Sequence, residues 1–123
     1  MNANHRKLVD KLAAAGQLRA GFLLRVLQQG QLDLFDTAFA RLLELPLVEF
    51  RRMFYLSGPR QVALACRAVG IDKCVFSTVF NLSRSTQRTL APLTLDERSD
   101  VEHAFGSFSR HEARTRLHTR VAA

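Results

Sequence analysis

Residues 32–54 read LDLFDTAFARLLELPLVEFRRMF, a pattern of two short helices separated by a proline. Phe35, Phe39 and Leu42 recur at spacings of three and four residues, which places them on one face of an α-helix. Pro46 ends that pattern, because proline has no backbone N–H to donate and fits best in the first turn of a new helix. Apolar residues resume at helical spacing after the proline, so two amphipathic helices are predicted.

Similar segments flank this stretch on both sides. Apolar residues recur at helical spacing over about 5–15, 19–29, 59–69 and 73–82. Gly16, Gly30 and Gly70 stand where three of these segments end, as glycines at helix C-termini do. We therefore expect an all-α protein: a compact bundle, or a HEAT-like stack, of about six to seven short antiparallel helices in a single domain over residues 1–123.

Acidic and hydroxyl side chains mark two of the helix starts. Asp33 and Asp36 lie early in their helix, where a negative charge suits the positive end of the helix dipole. Thr94 and Glu97 have the spacing of a capping box, in which each residue's side chain accepts from the other's backbone N–H. This spacing predicts a final helix over 94–123.

The final helix follows a polar stretch and carries a short apolar stripe. Residues 83–93 lack helical periodicity and are predicted to form a linker. Val101, Phe105 and Phe108 share one face of the final helix, but the same face then holds Glu112, so its end is expected to fray. If the rest of the protein leaves this stripe uncovered, the three residues would support a homodimer.

Composition limits the compartment and the chemistry. No apolar run approaches the roughly 20 residues of a membrane helix, and Asp10 and Lys11 interrupt the place where a secretory signal would be apolar. We expect a cytoplasmic protein without membrane contact, in which Cys66 and Cys74 are buried thiols. Two cysteines eight residues apart match no zinc spacing, so no metal or cofactor is expected.

Several linked segments carry a family resemblance. They read LLRVL at 23–27, AFARL at 38–42, LPL at 45–47 and ACRAVGI at 65–71. Over about residues 22–76 the chain resembles the C-terminal helical segment of the bacterial family named domain of unknown function 2336. The resemblance implies a shared helical fold; members are usually longer, with HEAT-type helical repeats before this segment. It implies no particular activity.

The charge distribution raises the question of nucleic acid. The formal net charge is +7, and residues 57–90 hold five basic side chains and one acidic side chain. Residues 66–79 fit a helix-turn-helix with Gly70 in the turn, although any tight helix pair joined through glycine gives the same pattern. A DNA-binding regulator is therefore the alternative function. Its contacts would be Lys73, Ser77, Thr78, Asn81, Arg84 and Arg88.

Three histidines near the C-terminus suggest a second alternative. His103, His111 and His118 lie eight and seven residues apart, which is too long for successive metal ligands on a helix. His111 has Arg110 and Arg114 as neighbours, as a phosphoacceptor in a histidine phosphotransfer protein would need. Surface histidines without a function give the same pattern.

The preferred interpretation is a non-enzymatic regulatory or adaptor module that works by protein contact. No serine nucleophile constellation and no glycine-rich phosphate loop is present in the sequence. Arginine side chains bind carboxylates through paired hydrogen bonds, so an acidic protein surface is the expected partner. The predicted contact surface is an outward row of arginines on adjacent helices: Arg51, Arg52, Arg60 and Arg67.

Overall fold

The computed structural model describes residues 3–56, 58–83 and 93–122, and every regular element within these ranges is an α-helix. The helices are α1 Ala3–Ala14, α2 Ala20–Gln28, α3 Leu32–Leu43, α4 Leu47–Leu56, α5 Pro59–Val69, α6 Lys73–Ser83, α7 Leu95–Ser107 and α8 Arg110–Ala122. The all-α prediction is confirmed, with eight helices in these ranges instead of six or seven. None of these helices is long and apolar enough to cross a membrane.

Four phenylalanines join α3 to α4. Phe35, Phe39, Phe50 and Phe54 are fully buried, and their ring centroids lie 5.1–5.9 Å apart in tilted, stacked and edge-to-face pairs. Such geometries add to the stabilisation that burial of the rings provides. The predicted break at Pro46 is confirmed: the Phe50 N–H donates to the carbonyl of Pro46 over 2.9 Å, and the proline stands just before α4 instead of within its first turn.

Helix α5 is the centre of the fold. It packs against α3, α4, α6, α7 and α8, and it is buried on nearly all sides. Val62, Ala63, Ala65 and Cys66 have no exposed surface. Small side chains allow neighbouring helices to approach closely, which explains how a helix of 11 residues can contact five others.

The C-terminal region contains two helices, so the single final helix predicted over 94–123 is wrong. Helix α7 begins after the predicted capping box at Thr94 and ends at Ser107, before Phe108, whose backbone is extended. A second capping box follows: the Ser109 N–H donates to Glu112 Oε1, and the Glu112 N–H donates to Ser109 Oγ, both over 3.1 Å. Glu112 therefore belongs to the capped first turn of α8 and does not interrupt the face of a longer helix.

Helix α8 packs back onto α5 and does not protrude. Ala113 and Leu117 are fully buried. At the far end of this contact, the His118 Nε2–H donates to the carbonyl of Leu43 over 2.6 Å, at the C-terminus of α3. The expected fraying beyond Phe108 is thus wrong for the described side chains of α8, because this helix contributes to the core.

The apolar stripe of α7 is covered within the chain. Val101, Phe105 and Phe108 are only 6–8% exposed. The Arg116 guanidinium lies over the Phe108 ring at 4.4 Å from its centroid, and Arg67 Nε donates to the Phe108 carbonyl over 2.8 Å. The homodimer was predicted only for the case that this stripe is uncovered, and that condition is not met.

Candidate functional site

The four arginines of the predicted contact surface fall into two groups. Arg51 contacts two aspartates of α3, and Arg67 is half-buried against the carbonyl of Phe108. Arg52 and Arg60 are exposed. Two of the four side chains are therefore engaged in contacts between elements of the domain, and two are exposed; the predicted contact surface stays a prediction.

A buried carboxylate fixes α4 to α3. Asp36 accepts from Arg51 Nε over 3.1 Å and from Tyr55 Oη over 2.6 Å, and Arg51 Nη2 also contacts Asp33 Oδ1 at 3.3 Å. Burial raises the pKa of Asp36 above its ordinary value, against the lowering effect of its hydrogen bonds to Tyr55 and Arg51. We call Asp36, Arg51 and Tyr55 the Asp36 cluster.

Asp36 was expected from the sequence to serve the start of its helix, and its role in joining two helices was missed. Aspartates at i and i+3 on α3 face an arginine and a tyrosine at i and i+4 on α4. These spacings put each pair on one helix face. Two acidic residues on one helix and two donors on the next therefore formed a complementary pattern from which the contact between the helices could have been predicted. Buried charges are normally paired, which this arrangement achieves.

The outer face of α4 carries exposed apolar side chains. Val48 is 65% exposed and Leu56 is 81% exposed, with the exposed Arg52 between them at spacings of four residues. Residues at i, i+4 and i+8 follow one line along a helix, so these three form a continuous strip, here called the α4 stripe. Arg60, at the start of α5, follows four residues after Leu56. Glu49 is the only acidic residue of α4.

Comparison with known proteins identifies the family. The family model described as uncharacterised proteins conserved in bacteria, DUF2336, matches residues 1–118 of the 123 residues. The chain belongs to this family. The resemblance predicted over residues 22–76 is confirmed, and the match extends well beyond it on both sides. No curated protein and no solved structure matches the chain.

In this DUF2336 protein, the predicted DNA-reading side chains of α6 are all exposed where the structure describes them. These are Lys73, Ser77, Thr78 and Asn81. Lys73 is the only cation of α6 and is ion-paired with Glu102 of α7. Arg84 and Arg88 lie outside the described residues. DNA binding stays a prediction.

The two cysteines of the DUF2336 protein have different environments, and both are thiols rather than halves of a disulfide. Cys66 is fully buried in α5, as predicted. Cys74 is exposed, so its predicted burial is wrong. It lies beside Lys73 on α6, and the apolar face that points into the core at Phe76 and Val79 lies on the other side of that helix.

The three histidines do not form one site. The His103 ring lies edge-on to the Phe108 ring, 5.5 Å between centroids, and His118 donates to Leu43 at the end of α3. His111 is exposed in the first turn of α8. Within the described ranges, no group of three or more His, Cys, Asp and Glu side chains is arranged to hold a metal ion. A phosphoacceptor role for His111 stays a prediction.

Proposed function

We propose that this DUF2336 protein is a non-enzymatic adaptor or regulatory module that binds an acidic protein partner through the α4 stripe and Arg60. The observation that carries this proposal is the exposure of Val48 and Leu56 on either side of Arg52. Burial of a Val or Leu side chain contributes about 1.5–3 kcal/mol. Arginine forks add directional contacts to carboxylates.

The partner is acidic because of the charges beside these apolar side chains. Arg52 and Arg60 are exposed and belong to no ion pair within the described part of the chain. Arg51 and Arg67, also predicted as contacts, are engaged by Asp36 and by Phe108. The acidic character of the proposed partner therefore rests on Arg52 and Arg60.

The back of α4 supports this role. Phe50 and Phe54 are fully buried against α3, and Arg51 and Tyr55 are bound to Asp36. A helix held in this way loses little conformational freedom when a partner binds, which favours affinity. A HEAT-like stack belongs to the same proposal, because stacked helix pairs present outer faces to partners. The proposal also includes the predicted cytoplasmic location.

Affinity capture from cell extract with matched variants tests the proposal. The wild type is compared with Val48→Ser/Leu56→Ser and with Arg52→Glu/Arg60→Glu. The control is Leu95→Ser/Arg98→Glu, because Leu95 is 83% exposed and Arg98 is exposed on α7. Circular dichroism verifies that each variant keeps its helicity.

We expect a specific acidic protein that the wild type and the α7 control retain and that both α4 variants lose. The purified partner should then bind with an affinity that falls as salt rises, because rim charges are screened. Equal retention by all four proteins contradicts the proposal. A partner lost equally by the control would show that general surface change, not the α4 stripe, determines capture.

A helix-turn-helix DNA-binding regulator is the second candidate, favoured by the exposure of Ser77, Thr78 and Asn81 on α6. Fluorescence anisotropy of labelled duplex DNA tests it at low and at physiological salt, with unlabelled competitor. Binding that survives physiological salt and is lost in Asn81→Ala supports this candidate. Absence of binding at both salt concentrations removes it.

A further inference from the structure

A second feature of the molecule is a pocket with three arginines. It has a volume of about 410 Å³ and lies between the turn before α2, the C-terminal ends of α3 and α5, and the start of α8. Arg19, Arg110 and Arg114 line it, together with the backbone at Gly70 and apolar side chains such as Leu42. None of its lining residues belongs to α4.

Positive charge exceeds negative charge in this pocket. Arg114 Nη2 is paired with Glu44 Oε2 at 2.9 Å, and Arg19 Nε donates to the Gly16 carbonyl over 3.2 Å. Arg110 has no carboxylate within ion-pair distance among the residues that the structure describes. Three guanidinium groups thus meet one carboxylate, and like charges brought together in one cavity favour an anionic ligand.

Gly70 explains how Arg110 is held at the pocket. A Cβ at Gly70 would lie 3.1 Å from Arg110 Cζ, so the guanidinium occupies the space that a side chain would take. Gly70 also has a φ of 87°, the left-handed conformation that ends α5. A side chain at this position would require the guanidinium to shift by a few tenths of an ångström.

The start of α8 adds to the positive potential. The capping box occupies the amides of Ser109 and Glu112. The amides of Arg110 and His111, in the first turn, have no acceptor within their own helix. A helix N-terminus carries a partial positive charge, which favours a bound anion beside it.

We propose that this pocket binds a small molecule through a phosphate group. Phosphate oxygens accept paired hydrogen bonds from arginine forks, and a pocket of about 410 Å³ has room for a phosphate with a small organic group. The site is separate from the α4 stripe, so phosphate binding and partner binding can be tested independently. A ligand here joins α8 to the ends of α3 and α5.

Isothermal titration calorimetry with inorganic phosphate and with adenosine 5′-monophosphate tests the proposal, in chloride buffer of constant ionic strength. Adenosine is the uncharged control ligand. Arg110→Gln and Arg19→Gln are the test variants, because neither side chain forms an ion pair among the described residues. Arg98→Gln, an exposed arginine of α7 outside the pocket, is the control variant.

We expect saturable binding of one phosphate-bearing ligand per chain, no binding of adenosine, and at least about a tenfold loss of affinity in Arg110→Gln, as for loss of a charged hydrogen bond. The amide NMR signals of Gly70 and Arg110 should shift on titration. Absence of saturable binding by both phosphate ligands overturns the proposal. The proposal is also overturned if Arg110→Gln and Arg19→Gln bind the phosphate ligands with the same affinity as Arg98→Gln.

Discussion

Replacing Asp36 by asparagine perturbs the contact between α3 and α4 with little change of shape. The asparagine side chain keeps an oxygen that can accept from Tyr55, which now donates over 2.6 Å. Its amide nitrogen takes the place of Asp36 Oδ2, which accepts from Arg51 Nε over 3.1 Å in the wild type. Two donors then face each other, and the charge of the pair is lost.

The magnitude follows from these two contacts. Loss of a hydrogen bond to a charged acceptor costs about 1.5–3 kcal/mol, and removal of a buried charge returns part of its desolvation cost. Arg51 is 39% exposed, so water can replace the lost partner. We expect Asp36→Asn to lower the free energy of unfolding by about 1–2 kcal/mol at neutral pH. At roughly 2.1 cal/mol/K per residue over 123 residues, this lowers Tm by about 4–8 °C.

The pH dependence gives the sharper test. Burial raises the pKa of Asp36 above its ordinary value of 3.8, so the folded state binds this proton more tightly than the unfolded state. The stabilisation from this group is complete below the ordinary pKa and decreases as the pH rises through the raised pKa. The asparagine of the variant does not titrate. The difference in unfolding free energy between the two proteins should therefore be largest in acid and decrease toward neutral pH.

Urea unfolding followed by far-ultraviolet circular dichroism measures this difference across the acidic and neutral range. Asp33→Asn is the matched control, since Asp33 contacts the same arginine at 3.3 Å but its side chain is 76% exposed. An exposed pair contributes little, so we expect this control to stay within about 1 kcal/mol of the wild type. A difference for Asp36→Asn that grows as pH rises would refute the reasoning, because pairing with Arg51 would then outweigh burial.

Four other substitutions test the helix ends and the core. Gly70→Ala should destabilise more than Gly30→Ala: both residues have positive φ, but only at Gly70 would the Cβ meet a neighbour. Equal urea midpoints would contradict this. Ser109→Ala should cost about 1 kcal/mol through loss of the α8 cap, and an unchanged midpoint would argue against a helix start there. Leu117→Ala should cost about 2–5 kcal/mol, and a loss near zero would mean that α8 does not belong to the core.

Local periodicity predicted the parts of the fold in which neighbours in sequence decide the structure. Phe35 and Phe39 share a face, and Pro46 separates α3 from α4, as the pattern indicates. The break between α7 and α8 was missed for a specific reason. Phe108 continues the spacing of Phe105 on an ideal helix, so periodicity alone cannot show that the backbone of Phe108 is extended.

The candidate sites depend on contacts between helices, which a single amphipathic pattern does not reveal. The exposure of Leu56 follows from which face of α4 packs on α3, and only the arginines of that helix were predicted as contacts from the sequence. Arg19 and Arg110 line one pocket although they lie at opposite ends of the chain. Only the packed arrangement brings such residues together.

The hydrogen bond from His118 to the Leu43 carbonyl joins residues 75 positions apart, and it has a consequence for synthesis. A ribosome produces α3 and α5 long before α8, so a nascent chain that has grown only to Ser83 lacks α7 and α8, which both pack against α5 in the finished domain. Only α3, α4 and α6 can then pack against α5. Helix α8 is the last helix to be synthesised, so the contacts between α5 and α8 form only after nearly the whole chain has left the ribosome.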